Sequence, residues 1–258
     1  MSRKSMQRTG VRRLIGALVL LSLLVWSSLA TGVSLTDLLG LGNTFSFITE
    51  NWLPPDWSVT GHALENSLLT LQIAFVGTTF GLLLALPFAF LSARSTPLPA
   101  FVTLILRTFL SFVRSVPEIV WGLLFVPTIG LGPFGGVLAI MLHNIGVLGK
   151  LIAELIEAAD TEPQEAIKAT GGNRLHVLFL AVLPDILPNV FSQYFYRMEV
   201  AVRTSLVLGF IGAGGLGNML FIDFKVFDYQ AVAVEVLVIM VLVILIDTIG
   251  GWVRRRMI

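Results

Sequence analysis

The chain contains no cysteine, which excludes disulfides, thiolate catalysis and cysteine-ligated metals. It is also short of charge: Asp, Glu, Lys and Arg make up 13% of its 258 residues, against about a quarter in ordinary soluble domains. So few charges cannot coat a globule of this size. Hydrophobic residues reach 55% and the mean hydropathy is +0.88. Cytosolic enzymes, disordered chains and nucleic-acid binders are therefore excluded, and a polytopic membrane protein remains. His62, His143 and His176 are the only histidines and are scattered along the chain. Neither a His-Glu-x-x-His zinc motif nor a Gly-x-Ser-x-Gly nucleophile elbow occurs, which argues against a resident metal and against an intramembrane hydrolase. Net charge is +1, so bulk charge points to no partner.

What is present is a set of long apolar runs. A helix needs about 20 apolar residues to cross about 30 Å of hydrocarbon. Six stretches meet that length: Leu14 to Ala30, Leu64 to Ala93, Ala100 to Ile129, Phe134 to Glu157, Asp185 to Ile211 and Gln230 to Val253. The run from Leu14 to Leu21 is apolar on every face rather than alternating as a barrel strand would, so the expected fold class is an all-α polytopic membrane protein with six transmembrane helices. The first run is long for a signal-peptide core and reads as a retained span.

Lys and Arg concentrate on one side of these spans. Residues 1–13 carry Arg3, Lys4, Arg8, Arg12 and Arg13, the second-to-third loop begins at Arg94, the fourth-to-fifth loop (158–184) holds Lys168 and Arg174, and the tail (254–258) opens Arg254-Arg255-Arg256. The other side has Asp37, Glu50, Asp56, Asp223 and Asp228 against Lys225 alone. The bias places both termini in the cytoplasm and residues 31–63, rich in tryptophan and proline, along the external interface. Residues 64–253 form a five-helix core. No internal repeat is visible, which disfavours a secondary transporter and implies that a pathway is built by pairing two chains.

The fourth-to-fifth loop has its own structure signals. Thr161 and Gln164 are spaced as a capping box, Pro163 falls in the first turn, and Gly171-Gly172 supply a left-handed stop. A helix of about nine residues is expected, too short to be stable in water unless it docks on something. Leu183-Pro184 reads as a second stop before the fifth span.

This loop resembles the cytoplasmic EAA loop of ATP-binding-cassette (ABC) importer permeases, whose pattern is Glu-Ala-Ala, three residues, Gly, nine residues, Ile-x-Leu-Pro. Here Glu165-Ala166, Gly171 and Leu183-Pro184 match, while Ile167 stands for the third Ala and Ala181 for the Ile. Four further segments, Arg114 to Glu118, His143 to Lys150, Tyr196 to Arg203 and Leu208 to Gly217, resemble the phosphonate/phosphite branch of these permeases. The Arg-Ser-x-Pro element is shared with methionine-type permeases, which leaves a methionine-type or other small-solute importer as the alternative. The resemblance implies a type I importer permease (MetI-like) fold, and a non-catalytic subunit that pairs with a second copy of itself, two ATPase subunits and an extracytoplasmic substrate-binding protein. It makes Glu165, Ala166, Ile167, Gly171, Leu183 and Pro184 the ATPase-coupling residues, and leaves ATP and Mg to the partner ATPase with no cofactor on this chain. Gly149-Lys150-Leu151 agrees, since it lacks the Ser/Thr and the upstream Gly of a phosphate-binding loop.

Spans three and five carry Arg107, Arg114, Glu118, Arg197, Glu199 and Arg203, each costing about 2.5–3.5 kcal/mol at mid-bilayer. Arg114 with Glu118, and Glu199 with Arg203, have helical spacing for same-face pairs, whereas Arg107 and Arg197 have no such partner. Four Arg against two Glu leave a surplus of positive charge that suits an anion pathway. Structural pairing between helices is the competing reading. His143 and Asn144 are divided equally between helix packing and substrate contact. Gly212, Gly214, Gly215 and Gly217 mimic a dinucleotide fingerprint but follow an apolar helix rather than a strand, and are expected to shape a turn where a binding protein docks.

Overall fold

The computed structural model describes residues 3–32, 40–96 and 98–257. Asp37 and the tail's last residue, Ile258, lie outside them. Among the described residues every regular element is helical. The chain divides into residues 1–53 and residues 54–258. The first unit holds α1 (Arg3–Thr31) and α2 (Leu41–Asn51). From Arg12 to Thr31, α1 is long and apolar enough to cross a membrane, and Leu14, Leu20 and Leu29 are exposed along it.

The second unit opens with a 3-10 turn (Trp57–Val59) capped by Asp56, whose carboxylate accepts the Ser58 N–H at 3.0 Å. Hydrogen bonds from Ser58 hold the Asp56 carboxyl below the ordinary aspartate range. Then follow α3 (Thr60–Ser92), α4 (Ala100–Ser115), α5 (Glu118–Ile129), α6 (Pro133–Ala158), α7 (Thr161–Ala169), α8 (Arg174–Val177), a π-helical turn (Leu178–Val182), α9 (Leu183–Gly209), α10 (Gly215–Lys225) and α11 (Tyr229–Met257). Five helical runs among the described residues can each cross a membrane, and a sixth span results if the bent pair α4 and α5 is taken as one. This is the expected all-α polytopic architecture.

Three expectations need correction. The third span is not one helix: α4 and α5 meet at 84°, because Pro117 has no N–H to donate and holds Val116 extended at φ −88°, ψ 121°. Leu183-Pro184 is not a stop. Pro184 lies in the first turn of α9, where a missing N–H is tolerated, and the π-helical turn carries the chain into it without a break. The chain after Ile211 is not merely an outer turn, since α10 follows it.

The bundle centres on α6, which packs along α3 and also touches α4, α5 and α9. In lipid no hydrophobic force drives helices together, so their contact depends on close approach at small residues. A Cβ built at Gly77 would lie 2.9 Å from the Ile140 Cβ, and one at Gly81 would lie 2.7 Å from the Asn144 Cβ. Two apolar clusters result. One joins Ala85, Leu148, Ile152, Ile186 and Val190, and the other joins Ile73, Ile140, Val126, Val202 and Leu208. Thr78, His143, Asn144 and Arg197 fall between these clusters in the order of their helices.

The contact predicts an asymmetric response within α3. Gly81→Leu should lower stability by about 1–3 kcal/mol through overpacking, read as unfolding of the purified protein in detergent. Gly61→Leu, where a Cβ meets nothing within 4 Å, should leave the midpoint unchanged.

Candidate functional site

The α4–α5 break creates the central polar layer. Pro117 leaves the Val116 carbonyl outside any helix, and His143 Nδ1 sits 3.0 Å from it. Glu118 then begins α5, where the positive end of the helix dipole favours a carboxylate. Arg197 of α9 reaches this carboxylate through Nη2 at 3.2 Å and donates from Nε to Asn144 Oδ1 at 2.8 Å. Asn144 in turn donates to the Thr78 hydroxyl at 3.2 Å, and His143 Nε2 lies 3.2 Å from Glu118. Residues from α3, α5, α6 and α9 thus meet in one layer.

The charge pairs differ from those read off helical spacing. Arg114 does not pair with Glu118, because the break at Pro117 takes them off a common helix face. Glu199 does not pair with Arg203. Its carboxylate accepts from Arg254 at 2.5 Å, and Gly250 makes room, since a Cβ there would collide with the carboxylate. Arg203 is paired with Asp247 of α11. Arg107 does have a partner, Glu157 of α6, at 2.7 Å. Partners from other helices therefore neutralise Arg107, Arg197 and Arg203. Arg114, exposed in the last turn of α4, is left without an ion-pair partner among the described residues. It lies close enough to His143 to act on it electrostatically.

The sequence count overlooked the acids of the fourth and sixth spans. Glu157 and Asp247 are partners, and Glu235 of α11 is completely buried. Among the described residues neither Glu235 oxygen has a hydrogen-bond partner, and the Asp223 carboxylate is close enough to act on it. An acidic residue inside an apolar run was the available signal. Lys150 reaches the Ser111 hydroxyl at 3.3 Å, so the lysine after Gly149 serves packing.

At the loop between α6 and α9, α7 forms as expected over nine residues, with a different cap. Asp160, not Thr161, is the N-cap. Its side chain accepts the Glu162 N–H at 3.1 Å, and Gln164 reaches back to the Asp160 carbonyl at 2.9 Å. The Asp160 N–H donates to Asp185 of α9 at 3.0 Å. Gly171 adopts φ +81°, and the N–H groups of Gly171 and Gly172 bond the carbonyls of Lys168 and Ile167, both at 3.0 Å, closing a Schellman motif. Ile167 packs on the apolar cluster of α3, α6 and α9, while Glu165 and Ala166 face outward. Leu183 is half-buried and Pro184 exposed.

Gly212, Gly214 and Gly215 take φ of +92°, +78° and +73°, as a tight turn requires. Gly215 and Gly217 are buried within the chain, so they do not present a docking surface. A Cβ at Gly215 would sit 2.6 Å from the Thr70 hydroxyl, and one at Gly217 would collide with the Leu206 carbonyl. Their role is to seat α10 on α3 and α9.

The chain thus combines a broken span beside an ion-pair layer with a short capped helix held to the bundle through Ile167. Residues 77–258 match the model of the binding-protein-dependent transport system inner membrane component family, and the chain belongs to that family. It is 38% identical over 204 residues to the phosphite transport system permease protein PtxC of Stutzerimonas stutzeri, covering 79% of this chain and 74% of that one. It is 36% identical over 208 residues to the phosphate-import permease protein PhnE of Mycolicibacterium smegmatis, covering 80% of this chain and 39% of that one. Among solved structures it resembles the inward-facing MetNI methionine ABC transporter, with a TM-score of 0.68 at 19% identity over 79% of this chain and 99% of that one. The fold is therefore that of MetI-type ABC transporter permeases.

The pairing scheme predicts which charges are coupled. A double-mutant cycle on thermal stability with Glu199→Gln and Arg254→Gln should give about 0.5–3 kcal/mol of coupling. The cycle with Glu199→Gln and Arg203→Gln should give clearly less, and equal values would contradict the pairing.

Proposed function

We propose that the chain is the membrane-spanning subunit of an ATP-driven importer for phosphonate- and phosphite-type oxyanions. It works as a homodimer with two ABC ATPase subunits and an extracytoplasmic substrate-binding protein. The observation that carries the importer reading is α7: a nine-residue helix, capped at both ends and anchored through Ile167, that holds Glu165 and Ala166 outward at the positively charged side of the chain. In this reading both termini and α7 are cytoplasmic and Asp56 is external. The chain itself binds no cofactor. ATP and Mg belong to the ATPase pair, whose closure draws the two α7 helices together and opens the pathway outward. Hydrolysis resets it inward. α7 can transmit that motion because it is linked to α9, through Asp160 and Asp185, and to the bundle, through Ile167.

The names of the similar permeases support an oxyanion substrate, and so does the charge balance of the central layer. With Arg197 committed to Glu118 and Asn144, Arg114 offers an uncommitted guanidinium beside the break in the α4–α5 span. There the α5 N-terminus adds positive potential. A guanidinium can grip a phosphonate or phosphite through two parallel N–H···O bonds. Arg114, Glu118, His143, Asn144 and Arg197 are the pathway residues in this reading. Arg107, Glu199 and Arg203 hold helices together at other levels.

Two measurements on the reconstituted complex test this. Glu165→Arg should leave the complex assembled while lowering substrate-stimulated transport at least about tenfold, an effect of about 1.4 kcal/mol. Normal transport by that variant would remove α7 from the coupling path. Arg114→Gln should cut phosphonate or phosphite uptake by about tenfold with an unchanged melting temperature, whereas Arg197→Gln should lower both, since it takes from the half-buried Glu118 its arginine and leaves only His143 beside it. Stimulation of the ATPase by methionine rather than by any oxyanion would replace the substrate assignment with the methionine-type one.

A further inference from the structure

A second cationic site lies away from the central layer, where the loop after α3 meets the first turns of α4. A cavity of ≈ 360 Å³ there is lined by Arg94, Thr96, Leu98, Thr103, Leu104 and Arg107. Glu157 organises it. One carboxylate oxygen accepts both the Arg107 guanidinium and the Arg94 backbone N–H, each at 2.7 Å, which pins both arginines beside the cavity. The Arg94 guanidinium has no partner among the described residues. Arg107 commits Nη2 to Glu157 and has further N–H donors. Thr103 is 8% exposed, and its hydroxyl has no hydrogen-bond partner among the described residues. Thr103 lines the cavity, and its hydroxyl is a further donor available to an acceptor there.

The charge and the surroundings narrow the ligand. Two guanidiniums against one carboxylate leave a single positive charge, which matches one phosphodiester. On the same turns of α4, Phe101, the lining Leu104 and Ile105 are 65%, 66% and 62% exposed, an apolar surface suited to acyl chains. Basic pockets between membrane helices at the cytoplasmic boundary bind lipid headgroups by this combination.

We propose that this cavity binds a phosphate group at the cytoplasmic membrane boundary, held by Arg94 and Arg107 and by the Thr103 hydroxyl. An anionic phospholipid headgroup and a free phosphate-type anion share that chemistry. The lipid source rests on the cytoplasmic placement of this loop proposed above. A nanodisc exposes both faces of the membrane, so failure of binding there speaks against the site and not against the orientation or the transport reading.

The test uses the full chain in nanodiscs of phosphatidylcholine alone, of phosphatidylcholine with phosphatidylglycerol, or of phosphatidylcholine alone with inorganic phosphate added. Unfolding temperature and lipid retained on native mass spectrometry are the readouts. Phosphatidylglycerol should raise the unfolding midpoint and remain bound. Arg94→Gln should weaken retention about tenfold and remove most of the shift, while Arg94→Lys keeps most of it. Arg94 is the informative position because its guanidinium supports no other contact, so the variant retains the fold. A shift with phosphatidylglycerol but not with phosphate identifies the headgroup as the source. A shift with phosphate in phosphatidylcholine discs identifies the free anion. Equal behaviour in phosphatidylcholine and phosphatidylglycerol with no effect of phosphate, or an identical response of wild type and Arg94→Gln, overturns the site.

Discussion

The structure depends on satisfying Arg197 in the middle of an apolar bundle. An ion taken out of water costs several kcal/mol unless paired and hydrogen-bonded, and breaking a buried pair costs about 3–5 kcal/mol. Arg197 meets this requirement by engaging Glu118 and Asn144 at once. That requirement fixes the rotation of α9, the start of α5 and the register of α6, and through the Asn144 to Thr78 bond it reaches α3.

The glycines of α3 serve the same constraint. Asn144 can bond Thr78 only if α3 and α6 lie close together, and Gly77 and Gly81 permit that approach. Pro117 plays the complementary part, since without the break α5 would not present Glu118 at the layer and Val116 would have no free carbonyl for His143. Small residues and one proline thus do what hydrophobic burial does in water, where helices are driven together rather than allowed together.

Away from the layer the charges tie neighbouring helices at their ends. Glu157 joins α6 to Arg107 of α4 and to the backbone at Arg94, and α11 is joined to α9 twice, by Asp247 with Arg203 and by Arg254 with Glu199. In the proposed transport cycle these ties make each half-transporter a stiff lever between α7 and the polar layer. Of the arginines around α4 and the loop before it, Arg114 beside the break and Arg94 beside the cavity have no ion-pair partner among the described residues.

The membrane class, the spans and the short helix α7 were legible in the sequence because they rest on local signals. Apolar runs, a Lys/Arg bias, a capped segment ending at Gly171 and a motif at Glu165-Ala166 need no knowledge of neighbours. The cap shifted by one residue, to Asp160, because Asp and Thr compete for the same role and here the Asp160 carboxylate takes the Glu162 N–H while its own N–H bonds Asp185 of α9. The charge pairs were not legible. Helical spacing puts Arg114 with Glu118 and Glu199 with Arg203, yet each of these carboxylates takes its arginine from another helix, because a side chain in a bundle meets residues far along the chain as readily as those four positions away. The 84° bend at Pro117, the π-helical entry to α9 and the burial of Gly215 and Gly217 were likewise settled by packing. By itself the sequence determined that these charges must find partners in lipid; only the tertiary structure decided which ones they found, and so which arginine was left free.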